Sequence, residues 1–165
     1  MKMKSGRAMR RWGVAGLAMA GIVDALYMLG YHGGLIRKLW CPIFGSGCDK
    51  VGRSEHAVHF GVPNAAVGAV GYAGMAALAL WAGDRTPEER PWQALGLGAV
   101  ATAAEGVSAF LTWEQAKKVR AYCFWCLTSA VLNVAIGALA AGDARQAARA
   151  LAAQRRKPRL KLLLN

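Results

Sequence analysis

Tyr122-Cys123-Phe124-Trp125-Cys126-Leu127 opens the stretch YCFWCLTSAVLNVAIGALAA, residues 122–141, which holds no charged side chain. About 20 apolar residues cross a hydrocarbon core near 30 Å at a rise of about 1.5 Å each, so this run reads as a membrane-spanning helix. Its opening carries two cysteines spaced C-x-x-C. Such a pair can close a disulfide, and a helix N-terminus stabilises a thiolate on the first cysteine. That thiolate is the attacking species in disulfide exchange. Zinc sites share the spacing, but zinc ribbons rarely stand at the mouth of a transmembrane helix.

Three further apolar runs precede it, at 13–31, 62–82 and 92–113, each of spanning length. Gln93 and Glu105 interrupt the third, yet Trp92 and Trp113 bracket it as interfacial anchors. The first has a basic start and an Ala18-Met19-Ala20 site like that of a secretory signal. Its apolar core continues to Gly30, which favours an uncleaved anchor. The expected fold is an all-α membrane protein, a four-transmembrane-helix bundle occupying 13–142, with an extracytoplasmic loop at 33–61. Basic cytoplasmic tails flank it at 1–12 and 143–165. Pro158 is expected to stop any helix over 144–156, leaving the tail on the membrane surface or frayed.

Composition fits this reading. Hydrophobic residues make up 55% of the chain while mean hydropathy is only +0.24, because Ala and Gly build the apolar runs and charges crowd outside them. A net charge of +12 would suggest nucleic acid in a soluble chain. Here the basic residues flank the spans, which is a topology signal, and nucleic-acid binding is set aside. The two tails and the 84–90 loop hold fourteen Lys and Arg, against seven on the opposite side. Both termini are therefore expected in the cytoplasm, with all four cysteines on the oxidising, extracytoplasmic side where disulfides persist.

The second cysteine pair is Cys41-Pro42-Ile43-Phe44-Gly45-Ser46-Gly47-Cys48, in the first loop. Gly45 and Gly47 give that loop freedom to bend. Two pairs in series make a relay, which a single disulfide cannot. Two static cystines, or a four-thiolate site for a soft metal such as mercury, copper or zinc in a membrane carrier or sensor, are the alternatives.

The order of these features resembles the vitamin K epoxide reductase family in its bacterial disulfide-forming branch. Ser54 stands six residues after Cys48, Phe60-Gly61-Val62-Pro63-Asn64 opens the second span, and Asn133 follows Cys126 by seven residues. In the other family of four-helix disulfide oxidases the C-x-x-C pair lies in the first loop. The resemblance covers about 13–142. It implies that Cys126 reacts with a quinone and that Cys123 is its disulfide partner. It further implies that Cys48 attacks Cys123 and that Cys41 exchanges with an outside thiol. Asn64 matches an asparagine that hydrogen-bonds a quinone carbonyl, where an amide donor stabilises developing charge, and Ser54 a hydroxyl near the relay. The quinone is ubiquinone, menaquinone or a vitamin K-like ring. Ala130 replaces a tyrosine of the animal members, which argues for quinone reduction over epoxide reduction. Many bacterial members carry a fused thioredoxin-like domain, and here the redox partner is expected to be a separate thioredoxin-fold oxidase.

Several residues have two readings. Asp24 and Glu105 lie inside spans, where carboxylates are costly; they serve either proton delivery or, the favoured reading, interhelical hydrogen bonds. His56 and His59 either move protons or rest at the interface, and His32 has no evident partner. Phe60 and Trp125 are candidates, with Phe124, to shape a flat quinone pocket, although aromatics at this depth commonly anchor the interface. Lys117, Lys118 and Arg120 either lower the thiol pKa, attract an acidic partner or, the slightly favoured reading, are simply solvated.

Overall fold

A computed structural model describes the backbone of residues 2–81 and 85–163 and the side chains of 6–81 and 85–154. The end of the second span at Ala82 and the start of the following loop at Asp84 lie outside the described residues. So do the side chains of Lys2, Lys4, Arg155, Arg156, Lys157, Arg159 and Lys161.

In chain order the elements are α1 (Lys2–His32), the short α2 (Gly47–Gly52), a 3-10 turn (Glu55–Ala57), β1 (Val58–His59), β2 (Val62–Pro63), α3 (Asn64–Trp81), α4 (Pro91–Glu114) and α5 (Phe124–Leu163). Among the described residues four helical segments are long and apolar enough to cross a membrane: Gly6–His32, Asn64–Trp81, Pro91–Val119 and Phe124–Gln154. The protein is a multi-pass, all-α membrane bundle.

The four long helices close a ring in which α1 packs on α3 and α5, and α4 on α5 and α3. Small residues set the spacing. A Cβ on Gly21 would come within 2.4 Å of the Tyr72 ring, and one on Gly98 within 2.8 Å of the Ala144 methyl. Such close approach is how helices associate where lipid removes the hydrophobic drive. The interior is built from Val14, Ala18, Met75, Ala79, Ala101 and Ile136 with their neighbours. Val23, Val70, Val131 and Val134 stay more than half exposed on the outer faces, as a lipid-facing surface requires.

Both ends of the bundle are tied. At the tail end Arg10 and Asp143 form an ion pair at 2.8 Å, and the Arg11 guanidinium donates to the Arg85 carbonyl. Thr86 and Glu89 exchange hydrogen bonds just before α4, which Pro91 opens in the position where its missing N–H costs nothing. At the cysteine end β1 and β2 form a hairpin, with Val58 opposite Pro63 and His59 opposite Val62. Its turn residues Phe60 and Gly61 both adopt left-handed backbone, φ 53° and 78°. That is the two-residue turn whose twist suits a tight hairpin.

Two expectations change. α5 has 40 residues, about 60 Å at helical rise, so it runs far beyond any bilayer. It passes through Pro158 rather than stopping there. A proline removes one hydrogen bond, here to the Gln154 carbonyl, and outside the bilayer water can satisfy that carbonyl. The connection expected to begin at Glu114 is also shorter. α4 ends on a buried Glu114, and Gln115–Val119 winds into a single π-helical turn before Arg120 reverses the chain at φ 53°.

Candidate active site

The four cysteines converge at one end of the bundle. Cys41 and Cys48 are joined as a disulfide, while Cys123 and Cys126 are thiols. Cys48 and Cys123 are fully buried in one cluster with Met28, Leu39 and Val51, and Cys41 and Cys126 pack at its edge. The Phe124 N–H, at the first turn of α5, donates to Cys48 Sγ at 3.3 Å. The loop disulfide thus presents its inner sulfur to the helix end that carries Cys123. Cys41 is half-buried at the loop surface.

Local structure fixes this approach. Gly47 lies so close to the start of α5 that a Cβ would stand 2.4 Å from the Tyr122 carbonyl oxygen. Gln115 accepts a hydrogen bond from the Cys123 N–H at 2.8 Å, holding the residue before α5 against the end of α4. Trp125 donates its indole N–H to the Trp40 carbonyl at 2.7 Å and packs on Tyr27 at 4.8 Å between ring centroids. The Tyr27 hydroxyl in turn accepts from the Trp40 N–H at 3.0 Å. These bonds clamp the residue before Cys41 to α1 and α5.

Beneath the cluster, a cavity of about 550 Å³ opens between α1, α3, α4 and α5. Its volume and mostly apolar wall with a few polar groups fit a small planar ligand. Cys126 is the one cysteine on its lining. Asn64 and Phe60 line it as well; Phe60 is fully exposed on the hairpin turn. Trp125 and Phe124 do not border the cavity; they pack on each other at 5.3 Å. Ser54 also stands away from it and donates to the Val51 carbonyl at 2.7 Å, capping the turn after α2.

The two intramembrane carboxylates separate. Asp24 is buried on the cavity wall and accepts from Ser129 at 2.8 Å, with the Tyr72 hydroxyl donating to the Ser129 carbonyl at 3.0 Å. Glu105 is outside the lining, with its carboxylate packed against Gly137 of α5. Lys117, Lys118 and Arg120 are exposed. His32 lines the cavity.

A model of the vitamin K epoxide reductase family matches residues 12–141. The chain belongs to that family. Members are in general quinone-linked membrane oxidoreductases, and this chain carries cysteines as one disulfide and one thiol pair.

Sequence reading of this family member passed over Glu114, Gln115, Tyr72 and Ser129. Glu114 closes the third span and reads as loop; Tyr72 and Ser129 read as ordinary span residues. Tyr72 and Ser129 pair across 57 residues, which no local pattern announces, and Gln115 meets the Cys123 N–H only once the chain reverses after α4.

Proposed function

We propose that this protein is a membrane thiol:quinone oxidoreductase of the bacterial disulfide-forming type, working in the inner membrane with both termini in the cytoplasm. A separate thioredoxin-fold partner donates its dithiol to the Cys41–Cys48 disulfide through a mixed disulfide at Cys41. The loop then passes the electron pair from Cys48 to Cys123, which frees Cys126. Cys126 hands the pair to a quinone bound in the cavity, and the Cys123–Cys126 bond re-forms. Two S–H bonds are lost and one S–S bond gained on the protein, while two O–H bonds form on the quinol.

The observation that carries this reading is the sorting of the sulfurs. One is half-buried at the surface, two are buried side by side at the α5 terminus, and one faces a ring-sized cavity. Asn64 supports the quinone site, because one hydrogen of its amide nitrogen goes to the His56 carbonyl at 2.8 Å and the other is left for a ligand.

The test is quinone reduction by the purified protein with a reduced thioredoxin-fold partner. Wild type should turn over, and Cys126→Ala should lose quinol formation while still exchanging with the partner at Cys41. Tight binding of one soft metal ion per two to four thiols, with no turnover on any quinone, would replace the enzyme by a carrier.

A further inference from the structure

Quinone reduction requires two protons at the quinone oxygens, inside an apolar cavity, and the thiols release theirs elsewhere. We propose that Glu114, held between His56 and His59, is the proton donor to the bound quinone, and that the two histidines reload it from the extracytoplasmic water. This proposal rests on the quinone reading above.

Glu114 ends α4 with its side chain 8% exposed, and it borders the same cavity as Cys126. Its Oε1 lies 2.9 Å from His56 Nδ1 and its Oε2 lies 3.2 Å from His59 Nε2. The position of one proton follows from the neighbours. The Asn64 amide nitrogen donates to the His56 carbonyl, so the Asn64 oxygen is the atom that meets His59 Nδ1 at 2.9 Å. His59 must therefore carry a hydrogen on Nδ1. Its other nitrogen faces the carboxyl, and a bare lone pair against a buried carboxylate is repulsive. A proton between His59 Nε2 and Glu114 relieves that repulsion, whether held as imidazolium or as carboxylic acid.

Glu114 Oε2 is buried, and the polar atom it meets is His59 Nε2 at 3.2 Å. A carboxylate oxygen accepts more than one hydrogen bond, so after transfer of the proton a newly formed quinol hydroxyl donates to Glu114 and the carboxylate stays bonded to the product. The route back to water is short. Beyond His56, the exposed Glu55 lies 3.7 Å from His56 Nε2, and both histidines are about a quarter to a third exposed. The other titratable groups on this cavity are Asp24 and His32 of α1, Tyr72 of α3 and Cys126 of α5. The Phe110 ring of α4 packs edge-on against His59 at 6.0 Å. For each turnover two electrons and the S–S bond come from Cys123 and Cys126, and the quinone gains one proton from Glu114 and a second after the cluster reloads.

The experiment compares wild type with Glu114→Gln, using protein prereduced by its partner and a short-chain benzoquinone. Quinol formation and the partner exchange at Cys41 are followed separately across pH. Loss of a general acid lowers the quinone step by about 100-fold, with the KM for quinone within about twofold and partner exchange unchanged. In wild type the quinone step slows as pH rises, because each turnover draws its protons from the extracytoplasmic water. Glu114→Gln loses that dependence on pH. If Glu114→Gln also abolishes partner exchange, its fold is damaged and His59→Asn is judged by the same readouts. Wild-type quinol formation with an unchanged pH profile in an exchange-competent variant overturns the proton-donor assignment alone. A wild type that exchanges with its partner but reduces no quinone overturns the quinone reading instead.

Discussion

The distance between Gly47 and the Tyr122 carbonyl governs how the two disulfide pairs meet. Replacing Gly47 by Ala pushes a methyl to within 2.4 Å of that oxygen, a backbone atom that cannot swing aside. The loop must retreat, at a cost of about 1–3 kcal/mol for an overpacked contact. Cys48 retreats with it from the Phe124 N–H. Gly47→Ala should therefore slow electron transfer from the loop pair to Cys123 by tenfold or more while partner exchange at Cys41 is retained; rapid quench with thiol alkylation separates the two steps. The cysteines themselves were legible from spacing alone, because C-x-x-C at a span opening constrains chemistry locally. The His56–Glu114–His59 cluster was not. Its carboxylate stands at a span end, and its histidines lie more than fifty positions earlier, so only the folded bundle brings them within 3.2 Å.

Among the elements, the hairpin between α2 and α3 carries more of the site than its four strand residues suggest. It delivers His59 and Asn64 to the cavity rim, and its geometry depends on the left-handed pair Phe60 and Gly61. Gly61 at φ 78° tolerates this conformation because it has no Cβ, whereas a β-branched residue there is strained by about 1–3 kcal/mol. Gly61→Val should move Asn64 off its histidine partners. The expected result is a KM for quinone raised about tenfold with partner exchange unchanged, read by steady-state kinetics with the quinone varied. An unaltered KM would mean that the hairpin does not shape the pocket. The four spans were readable because a bilayer demands about 20 apolar residues at each crossing, a rule indifferent to tertiary detail. The hairpin was not readable. Two-residue strands leave too short a pattern, and Phe60 in a left-handed turn runs against the preference of its side chain.

At the scale of the molecule, the bundle separates two chemistries by its length. One end gathers four sulfurs and the acid–histidine cluster, and the other is closed by Arg10 with Asp143 and continues into the basic second half of α5. With about 60 Å of helix in α5, its far end stands outside the bilayer, among the basic residues that favour the cytoplasmic face. The disulfide-forming reading requires the sulfur end to face the oxidising compartment, because a cytoplasmic thiol pool would keep Cys41–Cys48 reduced. An impermeant maleimide, added to intact cells after mild reduction, should label Cys41. A cysteine introduced at the exposed Ala148 should react only after the membrane is opened. The reverse pattern would place the relay in the reducing compartment, where cellular thiols keep disulfides from persisting. Labelling would then sink the disulfide-forming role even if quinone turnover survived in vitro, since the cytoplasmic thiol pool would re-reduce each partner disulfide as it formed.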